Sequence, residues 1–128
     1  MSQLSAMIAG NTLPRPMNRG AQAISAGGAE TTLVLNATST SGEVQVLGEI
    51  MLIDPGGSID LKLTPEAASK GMVFLMHNTD TDAESITVES SSGGNLGNGS
   101  KPVIARDEAG IFFCDGTNWY GYVLKNVT

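Results

Sequence analysis

The chain has 128 residues, with 13 acidic and 7 basic side chains and a formal net charge of −6. This length fits one domain, which buries roughly two thirds of its unfolded surface and needs no disulfide or metal for a core. An acidic chain with scattered Lys and Arg does not suit the phosphates of nucleic acid.

No apolar run reaches the roughly 18 residues of a membrane span, and no secretion signal is visible. The single cysteine, Cys114, has no intrachain disulfide partner. We therefore expect cytoplasmic synthesis, with no membrane or nucleic-acid partner.

The charge is divided unevenly along the chain. Residues 1–29 carry two arginines and no acid, and the acids all follow from Glu30 onward. Glycine and proline interrupt every run of residues 1–29 that would otherwise become a helix or strand. The sequence therefore predicts an extended N-terminal arm over residues 1–29 and one folded domain over residues 30–128. The alternative is a frayed terminus with no role.

Four residues of this arm are candidate contacts with another protein chain. Leu13 and Met17 offer apolar anchors, and Arg15 and Arg19 offer guanidinium groups that form bidentate pairs with carboxylates. An extended arm reaches well beyond its own domain, since each residue spans up to about 3.5 Å.

From residue 31 onward, apolar and polar residues alternate in short runs that Gly, Asp, Asn, Ser and Pro separate, as in strands and turns. The runs predict strands at 31–36, 44–53, 59–63, 72–78, 85–90, 102–106, 110–115 and 118–124. Between them, Pro65 and Gly71 bracket at most two turns of helix. We expect a single all-β domain, an antiparallel β-sandwich or jelly roll, with one short helix. Residues 33–46 and 75–88 resemble each other, but any two β-hairpins would do so.

The sequence predicts no catalytic residue. His77 is the only histidine and lies far in sequence from Cys114. A structural histidine is therefore a better interpretation than a catalytic base. One histidine and one cysteine also cannot form a closed zinc site.

Two further segments are candidate ligand sites. Asp80, Asp82 and Glu84 alternate on a turn and could hold calcium with backbone carbonyls, but they lack the Gly and the terminal Glu of a calcium loop. The glycine-rich residues 93–99 lack the following Lys-Ser/Thr of a phosphate loop and predict a long hairpin loop. The sequence therefore predicts no metal and no cofactor.

Five of the six aromatic residues lie between Phe112 and Tyr122. Trp119, Tyr120 and Tyr122 alternate so that rings are expected on both faces of the last strand. Phe112, Trp119, Tyr120 and Tyr122 are therefore candidates for the core and for a subunit interface, because Trp and Tyr bring large contact area at little entropic cost. A platform for sugars is the alternative.

Residues 110–120, Gly-Ile-Phe-Phe-Cys-Asp-Gly-Thr-Asn-Trp-Tyr, resemble a closing motif of tailed-bacteriophage structural proteins. In that motif an apolar strand leads into an Asp-Gly-Thr-Asn-Trp turn that joins the last two strands. The segments between residues 75 and 110 are laid out as in those modules. Asp115-Gly116 is also a strong hairpin signal on its own.

The resemblance implies a non-enzymatic virion protein, most like a small capsid decoration (cement) protein. Such proteins are β-rich, are often trimers, and bind the outer surface of the head at contacts between major capsid subunits, where terminal arms become ordered. It implies the major capsid protein as partner, a homotrimer as the assembly, and the capsid's outer surface as the location. Leu13, Arg15, Met17 and Arg19 become candidate capsid contacts. The alternative is a head-fibre or tail host-recognition module that binds surface glycans and needs no arm.

Overall fold

The computed structural model describes residues 21–26, 32–36 and 43–125. They form ten strands in two five-stranded sheets, so the all-β prediction is confirmed. Sheet 1 contains, in spatial order, β1 (Ala21–Ser25), β4 (Ile50–Asp54), β6 (Val73–Asn78), β9 (Ala109–Cys114) and β10 (Trp119–Leu124). Sheet 2 contains, in spatial order, β3 (Val44–Gln45), β2 (Thr32–Asn36), β5 (Ile59–Lys62), β7 (Ile86–Glu89) and β8 (Val103–Ile104).

The two sheets are mixed, and the prediction of antiparallel pairing throughout is wrong. From β4 to β7 the chain passes to the other sheet after each strand, so β4 pairs with β6, and β5 with β7, in parallel. β1 also pairs with β4 in parallel, and β2 does so with β3 and β5. Antiparallel pairing joins β6 to β9, β9 to β10 and β7 to β8. Local alternation shows that a strand has two faces but not which strand it pairs with, nor in which direction.

A tight turn in this fold does not always join two strands of the same sheet. The turn after β4 has Gly56 at φ 69°, and the Gly56 N–H donates a hydrogen bond to Asp54 Oδ1. It nevertheless leads from sheet 1 to sheet 2. The internal similarity has no structural counterpart either, because Leu33 lies in sheet 2 and Leu75 in sheet 1. The glycine-rich segment 93–99, by contrast, lies in a loop joining the antiparallel strands β7 and β8, as predicted.

The short helix is a single 3₁₀ turn over Glu66–Ala68. Gly71 follows it with φ 82°, in the left-handed region that favours glycine. The hydroxyl of Thr64 does not bond to the backbone N–H groups of this turn. It shares a hydrogen bond with the hydroxyl of Ser69, with 2.6 Å between the two oxygens. No helix in the part of the chain that the structure covers is long and apolar enough to cross a membrane.

Both sheets contribute to one buried cluster of side chains. Phe74 and Trp119 of sheet 1 stack with 5.2 Å between ring centroids. The indole Nε1 of Trp119 donates a hydrogen bond of 2.8 Å to the carbonyl of Thr64, so this buried polar group has its partner. The strand that returns after the Asp115 turn is thus anchored at its first residue.

The boundary of the N-terminal arm has to be corrected. Residues 21–25, which were predicted as part of the arm, form β1 at the edge of sheet 1, and Ile24 is only 7% exposed in the shared core. The strand escaped prediction because Ile24 is its single large apolar residue, which leaves almost no period-two signal. Residues 1–20 lie outside the described part of the chain.

Candidate functional site

The outer face of sheet 1 carries a row of apolar side chains that runs across all five strands. Residues alternate between the two faces of a strand, so the neighbours of the core residues in sheet 1 point outward. The register aligns the outward residues Ala21, Ile50, Leu75, Ile111 and Tyr122 from β1 to β10. Leu75 on the central strand is 37% exposed and Tyr122 on the edge strand 52%.

Two further rows extend this surface on either side. One contains Ala23, Leu52, His77, Ala109 and Leu124. The other contains Val73, Phe113 and Tyr120. We call the three rows together the apolar face; it contains no acid, lysine or arginine, and its polar margin begins one row further on at Ser25 and Asp54.

The outer face of sheet 2 is more polar. One of its rows runs from Thr32 through Asp60 and Thr87 to Val103, and the next sets Val34, Lys62 and Glu89 side by side, so charged residues lie in both rows among single valines. A sheet face that meets water is ordinarily polar in this way. Because the same chain builds one polar and one apolar outer face, the apolar face is the surface suited to being covered by another molecule.

The aromatic residues divide between the core and the apolar face. Phe112 and Trp119 are fully buried, so they belong to the core. Tyr120 and Tyr122 lie on the apolar face, where the ring of Phe113 stacks on both, with centroid distances of 5.6 and 6.3 Å. The prediction of rings on both faces of the last strand is confirmed.

Gly121 explains how β10 accommodates this arrangement. It lies opposite Phe112 in the β9–β10 pair, and a Cβ at Gly121 would collide with the Phe112 ring. On the inward side of the sheet, the large Phe112 ring therefore occupies the space that a side chain at Gly121 would otherwise fill.

Sequence reasoning missed the aliphatic part of the apolar face, including Ile50, Leu52 and Leu75, together with Phe113. The signal was present in β4, where Ile50, Met51, Leu52 and Ile53 are apolar at every position rather than at every second one. Such a strand is covered on both faces.

The turn between β9 and β10 holds the aromatic strands in register. Oδ1 of Asp115 accepts hydrogen bonds of 2.8 Å from the backbone N–H groups of both Asn118 and Thr117. These bonds, from Asn118 and then Thr117, lower the pKa of the Asp115 carboxyl. Gly116 supplies a φ of 97°. The Asp115 side chain thus satisfies two backbone N–H groups of the turn.

Asp115→Asn is expected to lower stability in a pH-dependent way. A carboxyl whose pKa is depressed in the folded state stabilises the fold above its ordinary pKa of 3.8, and this contribution disappears as the pH falls through the folded value. The urea midpoint of the variant should thus lie below that of the wild type at pH 7, and the two should converge in strong acid. Asp60→Asn, at an exposed position of sheet 2, is the control. A difference that does not change with pH would contradict this account of the turn.

His77 and Cys114 lie on opposite faces of sheet 1. His77 is in the apolar face opposite Ala109, whereas Cys114 is buried in the core and its thiol donates a 3.5 Å hydrogen bond to the carbonyl of Glu66. Burial raises the pKa of the Cys114 thiol, which disfavours the nucleophilic thiolate. The sheet itself keeps these two side chains from forming a thiolate–imidazole pair.

The predicted arm contacts Leu13, Arg15, Met17 and Arg19 lie outside the described residues. Comparisons of the chain with known protein families, curated proteins and solved structures found no match.

Proposed function

We propose that this chain is a non-enzymatic structural protein of a tailed-phage virion, specifically a capsid decoration protein. In this proposal it is a homo-oligomer, a trimer by resemblance, bound to the outer surface of the head at contacts between major capsid subunits. The observation that carries the proposal is the apolar face of sheet 1, a surface of the kind that assembly proteins bury.

A second copy of the chain is the occupant that best suits the apolar face. The protein has a formal charge of −6, so two copies repel each other when acidic surfaces meet. The apolar face contains none of the acids, and contact across it brings the copies together without opposing like charges. Closed symmetry then buries the face in every subunit.

Attachment to the head is assigned to the N-terminal segment. Its two arginines give residues 1–20 the opposite charge to the rest of the chain. In this proposal Arg15 and Arg19 pair with carboxylates of the shell, and Leu13 and Met17 fill apolar depressions between subunits. Oligomerisation and attachment thus use separate parts of the chain, and three arms on one trimer reinforce one another.

The test is binding of the purified protein to heads that lack decoration, followed by co-sedimentation. The proposal expects saturable occupancy and greater resistance of the heads to heat. Sedimentation equilibrium of the free protein at tens of micromolar should give a trimer. Heads that remain bare at saturating protein would exclude the decoration role.

A glycan-binding fibre or tail module remains the second candidate. The exposed rings of Phe113 and Tyr122 and the half-buried ring of Tyr120 favour it, since aromatic faces stack on sugar rings. Tyr122→Ala separates the two proposals. It should abolish binding to a glycan array if the rings form a sugar platform, and should weaken self-association if they are part of a subunit interface.

A further inference from the structure

The loop between β6 and β7 brings three carboxylates together. Asp80, Asp82 and Glu84 each place one oxygen so that all three oxygens lie within 4.8 Å of one another. Asp80 is buried, Asp82 is exposed and Glu84 is half-buried. The described ion pairs, Lys101–Glu89 and Lys125–Glu108, do not involve these carboxylates.

Asp80 has a buried oxygen that the described residues leave unsatisfied. Asp80 is only 6% exposed. Its Oδ1 accepts a 2.7 Å hydrogen bond from the backbone N–H of Asp82. Oδ2 has no hydrogen-bond partner among the described residues. A buried carboxylate oxygen without a partner is costly, and native proteins ordinarily supply one.

The same carboxylate adjoins that of Glu84. Desolvation raises the pKa of Glu84, and the negative charges of Asp80 and Asp82 raise it further. Three ionised acids whose oxygens lie within 4.8 Å of one another repel each other unless a positive charge lies between them.

The loop is held in shape by Asn78, which is fully buried. Its Oδ1 accepts the N–H of Asp80 at 2.9 Å, and its Nδ2 donates to the carbonyls of Glu84 at 3.1 Å and Ile104 at 3.0 Å. One amide thus ties both ends of the acidic segment to the sheets. The nearby cation, Arg106, donates through Nη1 to the carbonyl of Thr81 at 3.0 Å. The acids are thereby preorganised before any ligand arrives.

We propose that this loop binds a calcium ion through the carboxylates of Asp80, Asp82 and Glu84. Calcium takes six to eight oxygen ligands at about 2.3–2.6 Å in flexible geometry, and oxygens that lie within 4.8 Å of one another are close enough to bind one such ion. Magnesium demands near-ideal octahedral geometry at about 2.1 Å and gives up its water ligands reluctantly. The alternate spacing of the acids matches the first three ligand positions of a calcium loop, and the exposed Asp82 leaves room for water ligands. This site is independent of the proposed function.

The test is calcium titration of the full chain by calorimetry and by thermal unfolding. Because calcium binds the folded loop and not the unfolded chain, the unfolding midpoint should rise by about 5 °C or more once calcium exceeds its dissociation constant about 100-fold. Asp82→Asn and Glu84→Gln should each weaken calcium binding at least about 10-fold. Asp60→Asn, which removes an acid from sheet 2, should leave it unchanged.

Asp80→Asn gives a second, opposite readout. An amide at this position can donate to the Glu84 carboxylate and removes one of the repelling charges, so the calcium-free variant should unfold at a higher temperature than the calcium-free wild type. Its response to calcium should be lost. The role of Asp80 in calcium binding is thus tested with a variant that is expected to be more stable than the wild type, so misfolding cannot explain the loss of the calcium response.

Three results would overturn the proposal. One is a wild-type protein whose midpoint does not respond to calcium, including the case in which Asp80 and Glu84 share a proton and stability rises only as the pH falls. Another is an equal response in Asp82→Asn and the wild type. The third is a rise of the unfolding midpoint with magnesium as large as the rise with calcium, which would show that the site does not prefer calcium.

Discussion

Leu75→Lys is expected to weaken self-association by about 100-fold or more while the isolated subunit keeps its fold. Leu75 lies on the central strand of sheet 1 and in the middle row of the apolar face, so it reaches the centre of any interface formed there. In the free subunit a lysine at this exposed position extends its ammonium group into water. In the assembly that charge is buried without a partner, which costs about 3–5 kcal/mol, and each 1.4 kcal/mol is about tenfold in affinity.

The measurement is sedimentation equilibrium over a range of concentrations, with the urea midpoint as the check on folding. Thr87→Lys is the matched control, because Thr87 holds a comparable outward position on sheet 2 and lies opposite Asp60, which can pair with the lysine. A Leu75→Lys protein that associates as tightly as the wild type would show that the apolar face is not the subunit interface.

Deletion of residues 1–20 is expected to weaken binding to undecorated heads by about 100-fold or more without changing the oligomeric state. The deletion removes Arg15 and Arg19, and hydrogen bonds to charged groups contribute about 1.5–3 kcal/mol each. The cut has to precede β1, because removal of residues 1–29 would also remove Ile24 from the core and leave β4 as an unprotected sheet edge. A loss of binding after the longer deletion would then reflect misfolding.

The control for this experiment is deletion of residues 1–12, which keeps Leu13, Arg15, Met17 and Arg19 and should keep binding. Occupancy is measured by co-sedimentation at low and high salt, since pairs between exposed charges weaken as salt rises. If heads bind the chain lacking residues 1–20 as well as the full chain, attachment belongs to the folded body.

The strands were predictable where one face alone was apolar. The segments that became β5 and β7 show this, because alternation is a local property of the sequence. β1 was not predictable, since Ile24 alone gives no period. The direction of pairing was not predictable either, because Ile50 meets Leu75 only through a register set by the whole fold.

The candidate site was predictable in the same uneven way. Tyr120 and Tyr122 were identified because tyrosine is suited to interfaces by its own chemistry. Ile50 and Leu75 are ordinary core residues by composition, and only their position on the outward side of sheet 1 makes them part of a surface. The spacing of Asp80, Asp82 and Glu84 alone does not match a complete calcium loop, so the sequence predicts no metal there. The buried Asp80 oxygen without a hydrogen-bond partner is a property of the folded structure and has no signal in the sequence.

The passage of the chain between sheets also bears on how the protein is made. β4 and β6 become neighbours only after β5 has been laid down in the other sheet, and both wait for β9 to complete the centre of sheet 1. Contacts between distant segments form slowly, whereas the β9–β10 hairpin and its Asp115 turn are local. That hairpin leaves the ribosome after the parallel strands do. We therefore expect the apolar strands of sheet 1 to stay exposed until the β9–β10 hairpin has formed. Expression at low temperature, which keeps fewer incompletely folded chains present at once, should then raise the soluble yield.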